Sequence, residues 1–241
     1  MLESLFFIGG LLFGSFANVC ILRLPKDEDI FFLKSKCFNC KEEILWKNNI
    51  PLLSYLSLAG VSECCQKKIS VQYPIIELVM GLLFLINSIL FETSQALTLS
   101  LVFFVIILII MIDYYHQIIF DVMNYILIVS GLLISFFYSE LNPQNISFNN
   151  SCITAIIAFS LFEILRQLFK EYKGIEALGK GDVYLIAGIG AWLGFEKFLY
   201  ILSLSSLIGI FYYLIIDKKN KNFEIPYGSA LGISFILLMY I

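Results

Sequence analysis

Residues 101–113 read LVFFVIILIIMID, an uninterrupted apolar run that ends in an aspartate. A helix with this sequence is apolar on every side, so it must lie in an apolar environment. The predicted span, 97–112, is slightly shorter than the about 20 residues that cross a bilayer core. The run therefore predicts a membrane helix that ends against Asp113.

Similar runs recur along all 241 residues, of which 59% are apolar and 15% charged, with a mean hydropathy of +0.87. A soluble chain would need far more charged surface. We predict an all-α, polytopic bundle of about eight transmembrane helices in the lipid bilayer, with a small cysteine-bearing loop domain at 25–72. The predicted spans are 5–24, 73–91, 97–112, 122–138, 153–169, 183–194, 198–216 and 226–241.

The basic residues predict the orientation of these spans. With an even number of spans both termini lie on one side, and the segments on that side contain only Lys197 among 16 Lys and Arg residues. Basic residues accumulate in cytoplasmic loops. The cysteine loop, Asp113 and Asp182 are therefore expected on the cytoplasmic side. The net charge of −3 is spread over loops and gives no basis for nucleic-acid binding.

Two aspartates occur at span ends, where an ionisable residue is a functional hypothesis by default. Asp113 closes the third predicted span, and Asp182 opens the sixth after Gly179-Lys-Gly181. Each could instead be an ordinary carboxylate at a helix end. The two glycines favour the functional reading, because they allow another backbone to approach the carboxylate closely.

A carboxyl pair is chemically suited to peptide hydrolysis. Two carboxylates at short range share a proton, so one can activate water while the other polarises the scissile carbonyl. The only histidine is His116, which we interpret as an interfacial polar residue. No serine or cysteine triad competes with the aspartates.

The chain resembles the bacterial type IV prepilin peptidases along nearly its whole length. The resemblance rests on ordered motifs: Gly14-Ser-Phe-Ala-Asn18 with Arg23-Leu-Pro25, Cys37-Phe-Asn-Cys40, Asn49-Ile-Pro-Leu-Leu-Ser-Tyr55, Tyr73-Pro-Ile-Ile-Glu77, Ile112-Asp113 with Asp121, Glu176-Ala-Leu-Gly-Lys-Gly-Asp182, and Ile225-Pro-Tyr-Gly228. For Asp121 an N-cap of the fourth span remains the preferred interpretation.

The resemblance implies a bacterial inner-membrane aspartic endopeptidase with Asp113 and Asp182 as catalytic residues, supported by Gly179 and Gly181. Its substrates would be prepilins or pseudopilins, whose short basic leader is removed on the cytoplasmic side. Many relatives also methylate the new N-terminal residue with S-adenosylmethionine. The resemblance therefore implies two parts of the chain, a methyltransferase part at 1–92 and a six-span peptidase domain at 93–241.

The cysteine loop departs most from the relatives. Four of the six cysteines lie in this loop, a pattern that favours a metal or thiol cluster over disulfides in a cytoplasmic segment. Relatives with a structural zinc carry two Cys-x-x-Cys pairs; here Cys37 and Cys40 match the first, Cys65 matches half of the second, and Ser62 occupies the remaining position. Cys64 could substitute as fourth ligand, and a metal-free loop is the alternative.

Three further residues depart from the family pattern, and alternative functions remain open. Phe120, Tyr184 and Gln72 replace a proline, a lysine and an arginine that are common in relatives. The alternatives are a leader peptidase without methyltransferase activity, a proton-coupled transporter and an inactive scaffold. A transporter predicts mid-span carboxylates and internal repeats, and the sequence shows neither.

Overall fold

A computed structural model describes residues 1–30, 35–37, 39–174, 178–215 and 225–241. Within these ranges the chain forms helices and two isolated β-bridges, as predicted for an all-α protein. The α-helices are α1 (Leu2–Arg23), α2 (Leu53–Ser57), α3 (Gln72–Leu90), α4 (Thr93–His116), α5 (Asp121–Phe137), α6 (Phe148–Lys173), α7 (Lys180–Ile215) and α8 (Tyr227–Met239).

Five of these helices are long and apolar enough to cross a membrane, and α5 and α8 are shorter apolar helices. This composition confirms the predicted polytopic membrane bundle. The predicted end of the seventh span at Ile216 lies outside the described residues, as does Glu176. Four of the basic residues used for the orientation also lie there: Lys34, Lys218, Lys219 and Lys221.

The sixth and seventh predicted spans are the two halves of α7. Gly194 separates them with a φ of 67° and a ψ of 176°, a backbone conformation that a helix does not contain. The break leaves backbone carbonyl groups before it without helical N–H donors, and side chains donate to them instead. Ser151 and Asn142 donate to the carbonyls of Ala191 and Trp192 at 2.7 and 3.0 Å. Polar backbone groups in an apolar environment require such partners.

The chain divides into two compact units, Met1–Phe104 and Val105–Ile241. The boundary predicted after residue 92 is a division between two functions, and it differs from the division between compact units. It stays a prediction. In the N-terminal unit α1 packs closely on α3 at Gly10 and Gly14. A Cβ at these glycines would lie 2.5 Å from the Met80 carbonyl oxygen and 2.6 Å from the Glu77 Cα. Glycines four residues apart allow this backbone-to-backbone packing.

In the C-terminal unit α7 is the central helix, packed against α5, α6 and α8. Its Trp192 is fully buried and donates its indole N–H to the Leu127 carbonyl at 3.1 Å. Small residues again bring the helices together, since a Cβ at Gly131 would lie 2.9 Å from the Ala191 Cβ. The first turn of α7, which carries Asp182, is therefore part of a rigid helical core.

Candidate active site

Asp113 lies in the last turn of α4, because this helix continues past the predicted end at residue 112 to His116. Its side chain is only 5% exposed and meets the N-terminus of α8. The Ser229 N–H donates to Oδ2 of Asp113 at 2.6 Å. The Ser229 hydroxyl lies 3.0 Å from the same oxygen and 2.8 Å from the Ile110 carbonyl. Free N–H groups at a helix N-terminus favour a negative charge.

Asp182 is the third residue of α7 and lies in its first turn. Its carboxyl group accepts the Gly179 N–H and lies within electrostatic range of the Asp113 carboxyl group. Its Oδ1 atom is buried without a hydrogen-bond partner among the described residues. The structure therefore brings the two predicted aspartates together, from opposite ends of two helices.

Three glycines fit closely around the carboxyl groups. A Cβ at Gly179 would lie 2.9 Å from Oδ2 of Asp182, and one at Gly228 would lie 3.1 Å from Oδ2 of Asp113. A Cβ at Gly181 would lie 3.0 Å from that of Ile119. A side chain at Gly179 would therefore displace the Asp182 carboxyl group, and one at Gly181 would displace Ile119. The supporting role of these two glycines stays a prediction.

Sequence reasoning missed Asn124, which is fully buried on α5. Its Nδ2 donates to the Gly181 carbonyl at 3.0 Å and thereby holds the residue that precedes Asp182. Its Oδ1 is buried and has no hydrogen-bond partner among the described residues. The sequence signal is an asparagine among the apolar residues at the start of α5, which marks the position but not its partner. Ser229, the other missed residue, follows the Ile225–Gly228 motif directly.

The remaining polar residues near the aspartates have peripheral positions. His116 is the last residue of α4 and is exposed, in agreement with an interfacial role. Asp121 is exposed and is the first residue of α5, whose N-cap is Phe120, so the predicted N-cap was wrong by one position. Tyr184 packs between Tyr125 and Phe159, at ring-centroid distances of 5.9 and 5.5 Å.

The four loop cysteines form one cluster in the N-terminal unit. Their sulfur atoms all lie within 4.8 Å of one another, with 3.1 Å between Cys40 and Cys64 and 3.7 Å between Cys37 and Cys65. Zinc–sulfur bonds of about 2.3 Å in a tetrahedron place the sulfurs about 3.8 Å apart. The adjacent Cys64 and Cys65 both reach the cluster, so the residues present fit a four-thiolate zinc site.

Neighbouring groups make the thiols of this cluster unequal. Burial disfavours the Cys37 thiolate, but hydrogen bonds from the Cys40 backbone and the Ser62 side chain outweigh it and lower the pKa to about 6. A hydrogen bond with Cys64 raises the pKa of Cys40 to about 12. Cys37 is thus converted more readily than Cys40 to the thiolate that binds a metal.

A cavity of about 990 Å³ lies beside the cysteine cluster, within the N-terminal unit. Its walls come from α1, the start of α3 and the loop between them, including Asn18 and Glu77. The Leu52 N–H donates to Oε2 of Glu77 at 2.8 Å, and the Asn18 amide donates to the Tyr73 carbonyl at 3.2 Å. These bonds join the loop and the two helices around the cavity.

Comparison with protein families identifies both parts of the chain. The model of the bacterial peptidase A24 N-terminal domain matches residues 8–91, and the model of the type IV leader peptidase family matches residues 100–214. The first match contains the cysteine cluster and the cavity. The second contains both aspartates. The chain has no significant match among solved structures.

Curated relatives align over most of the chain. The prepilin leader peptidase/N-methyltransferase of Klebsiella pneumoniae is 36% identical over 80% of this chain and 86% of its own length. Proteins of the same name from Pectobacterium carotovorum and Vibrio cholerae are 31% and 30% identical, over 95% and 98% of this chain and 90% and 95% of their own length. This chain belongs to the type IV leader peptidase family.

Proposed function

We propose that this protein is a membrane aspartic endopeptidase that removes the short basic leader from prepilins or pseudopilins, with Asp113 and Asp182 as the catalytic pair. The electrostatic interaction between the buried Asp113 carboxyl group and the half-buried carboxyl group of Asp182 supports this most strongly. Two carboxyl groups so close share one proton, the state that aspartic peptidases require. The relatives' names and the matching family model point to the same reaction.

The hydrogen bonds of the two aspartates support different roles for them, one as the base and the other as the acid. Ser229 supplies donors to Asp113, which suit the charged carboxylate that deprotonates the attacking water. Oδ1 of Asp182 has no protein donor among the described residues, which suits the protonated carboxyl that donates to the scissile carbonyl. Asp113 then passes the proton it took from water to the leaving amine as the C–N bond breaks. Asp182 recovers its proton from the hydroxyl group that becomes the new carbonyl.

We place cleavage at the cytoplasmic face of the bacterial inner membrane. All basic residues but Lys197 fall on the side that carries Asp113, Asp182 and the cysteine loop in the predicted topology. Both aspartates lie in terminal helical turns rather than at mid-span. A substrate would therefore be cut where its leader leaves the bilayer. This position also argues against the alternative of a proton-coupled transporter.

Co-expression with a prepilin tests the peptidase assignment. Asp113→Asn and Asp182→Asn should each abolish leader removal, followed by gel mobility, while the protein remains in the membrane. Asp121→Asn is the matched control, because this aspartate follows Asp113 by eight positions and is exposed. Cleavage that persists in either of the first two variants contradicts the assignment.

We further propose that the N-terminal unit N-methylates the new pilin terminus with S-adenosylmethionine. The relatives carry two activities in their names, and the peptidase model matches only residues 100–214. The second activity then falls to residues 8–91, where the cavity of about 990 Å³ lies. Mass spectrometry of the mature pilin N-terminus decides; an unmethylated residue means a leader peptidase alone.

The third proposal is a structural zinc ion held by Cys37, Cys40, Cys64 and Cys65. It rests on the sulfur–sulfur distances and on the chemistry of four thiols. Such an ion would cross-link the two ends of the cysteine loop and so shape the adjacent cavity. No step of either reaction passes through it.

A further inference from the structure

Glu77 is the buried charged residue of the N-terminal cavity. Its side chain is 7% exposed, whereas every other charged residue that lines the cavity is more accessible to solvent. Those residues are Arg23 on α1 and Lys36, Glu42, Glu43, Glu63 and Lys68 in the loop. A buried charge requires a partner, and a carboxylate beside a cavity requires one of positive charge or a strong donor.

The protein itself supplies Glu77 with neutral partners. Oε2 accepts the Leu52 N–H at 2.8 Å, and the Ser15 side chain provides the second hydrogen bond. A carboxylate offers about four acceptor sites, so capacity remains for a ligand. Among the described residues no basic side chain pairs with it. The carboxylate of Glu77 is therefore held in the cavity wall by neutral donors, and no described basic side chain neutralises its charge.

The backbone around Glu77 is built to hold it there. Leu52, its partner, has a φ of 58°, which is unfavourable for a leucine. The Cα of Glu77 lies so close to α1 that a Cβ at Gly14 would be 2.6 Å away. Strained backbone held by its surroundings is typical of functional sites. A purely structural acceptor for one N–H group would not need to face a cavity.

We propose that Glu77 binds the α-ammonium group of the newly cut pilin and accepts its proton before methylation. This inference rests on the methyl transfer proposed above. An α-amine with a pKa of about 8 is mostly protonated at neutral pH, and only the free amine is a nucleophile. Glu77 is a carboxylate that recognises the cation and then takes the proton.

The step balances in atoms and charge. One N–H proton passes from the ammonium to a Glu77 oxygen, which leaves a neutral amine with a lone pair. That pair attacks the methyl carbon of the sulfonium donor, and the carbon–sulfur bond breaks with its electrons going to sulfur. The products are an N-methylammonium, a neutral thioether and a protonated Glu77. Glu77 returns to its charged form by losing the proton to solvent.

The isosteric variant Glu77→Gln separates charge from structure, because a glutamine oxygen can still accept the Leu52 N–H. With a prepilin peptide and S-adenosylmethionine, we expect unchanged leader cleavage and unchanged donor binding. Methylation should fall about 10²-fold or more, the usual effect of losing a general base. It should recover partly as the pH rises above about 8, where the ammonium group loses its proton without help.

Glu63→Gln is the matched control. Glu63 lines the same cavity but is exposed and pairs with Lys47 at 3.4 Å, so methylation should be unchanged. Methylation by Glu77→Gln at the wild-type rate would overturn the proposal. So would a loss of methylation that accompanies lost donor binding or is not relieved at high pH. A wild-type protein that cleaves without methylating would refute the methyltransferase function itself.

Discussion

The two units hold their reactive groups by different means. In the C-terminal unit Asp113 and Asp182 lie in terminal turns of long helices, whose packing determines where the carboxyl groups meet. In the N-terminal unit the cysteines and most cavity walls belong to a loop with little regular structure. Five non-glycine residues of this loop have positive φ values: Asp27, Lys41, Leu52, Ala59 and Gln66.

Each such residue costs on the order of 1 kcal/mol, so the loop needs contacts from outside its own backbone. Glu77 supplies one of them, and the cysteine cluster supplies another. The aspartates need no comparable cross-link because their helices are already rigid. Damage to the loop should therefore affect methylation and spare cleavage, whereas small changes beside the aspartates should affect cleavage alone.

The largest expected effect is the loss of the metal in Cys37→Ser. Removal of one of four thiolates should reduce the zinc content of the purified protein to nearly none. Methylation should fall about tenfold or more, and cleavage should change less than about twofold, because a structural zinc acts only through the loop. Cys152→Ser is the control, since this cysteine lies on α6 outside the cluster. A metal-free wild-type protein would contradict the zinc proposal, and lost cleavage would contradict the separation of the units.

Asn124→Ala tests the site that Asp113 and Asp182 form at the helix ends, again with a matched control. Its amide and that of Asn142 each donate to a carbonyl of α7 at 3.0 Å, and both residues are buried. Either alanine variant should cost about 1–3 kcal/mol of stability. Only Asn124→Ala should lower kcat for cleavage, by about 10²-fold, because it releases Gly181 and shifts Asp182.

Asn124→Leu sharpens that test, because leucine has nearly the size and shape of asparagine and no donor for the Gly181 carbonyl. It should be as defective as the alanine variant. Equal losses of kcat in the Asn124 and Asn142 variants would reduce the role of Asn124 to general stability. Methylation of a pre-cut pilin should be normal in all three.

Gly179→Ala should have a smaller effect. The new Cβ would lie 2.9 Å from Oδ2 of Asp182 and displace the carboxyl group by a fraction of an ångström. We expect kcat to fall about tenfold with little change in KM. Gly209→Ala, on the same helix, would meet only Ile225 at an ordinary 3.8 Å and should cleave normally. Wild-type kcat in Gly179→Ala would show that the loop adjusts without moving Asp182.

Ser229→Ala should have the smallest effect. It removes the hydroxyl beside Asp113 and keeps the backbone N–H, which is the shorter bond at 2.6 Å. The loss of one hydrogen bond of about 1 kcal/mol predicts a decrease of about fivefold in kcat. Ser234→Ala removes a buried hydroxyl from the same helix, away from the aspartates, and is the control. Equal activities of the two variants would assign the stabilisation of Asp113 to the helix N-terminus alone.

The sequence predicted the parts of the structure that depend on local pattern. Apolar runs indicated the membrane helices, and Asp113 was recognisable because it interrupts such a run. Helix ends were less accurate, since α4 continues to His116 and α7 begins at Lys180. Those extra turns bring the aspartates inside the helices. Polar residues can extend a helix where it leaves the apolar layer, and hydropathy does not register them.

Contacts between distant residues could not be predicted. Ser229 meets Asp113 across 116 positions, and Asn124 meets Gly181 across 57. No local pattern specifies which serine or asparagine will form such a bond. Cys64 shows the same limit: its neighbour Cys65 matched a family position, but only the loop geometry shows both sulfurs reaching one cluster. The ligand assignments themselves remain predictions.

The break at Gly194 has a consequence for how the chain is threaded into the bilayer. A continuous helix of 36 residues would be about 54 Å long, far more than the about 30 Å of a hydrocarbon core. The conformation of Gly194 therefore determines whether this stretch crosses the bilayer once or twice. The number of crossings determines the face of the membrane at which α8 enters the bilayer. It thereby also determines the position of Ser229, which contacts Asp113.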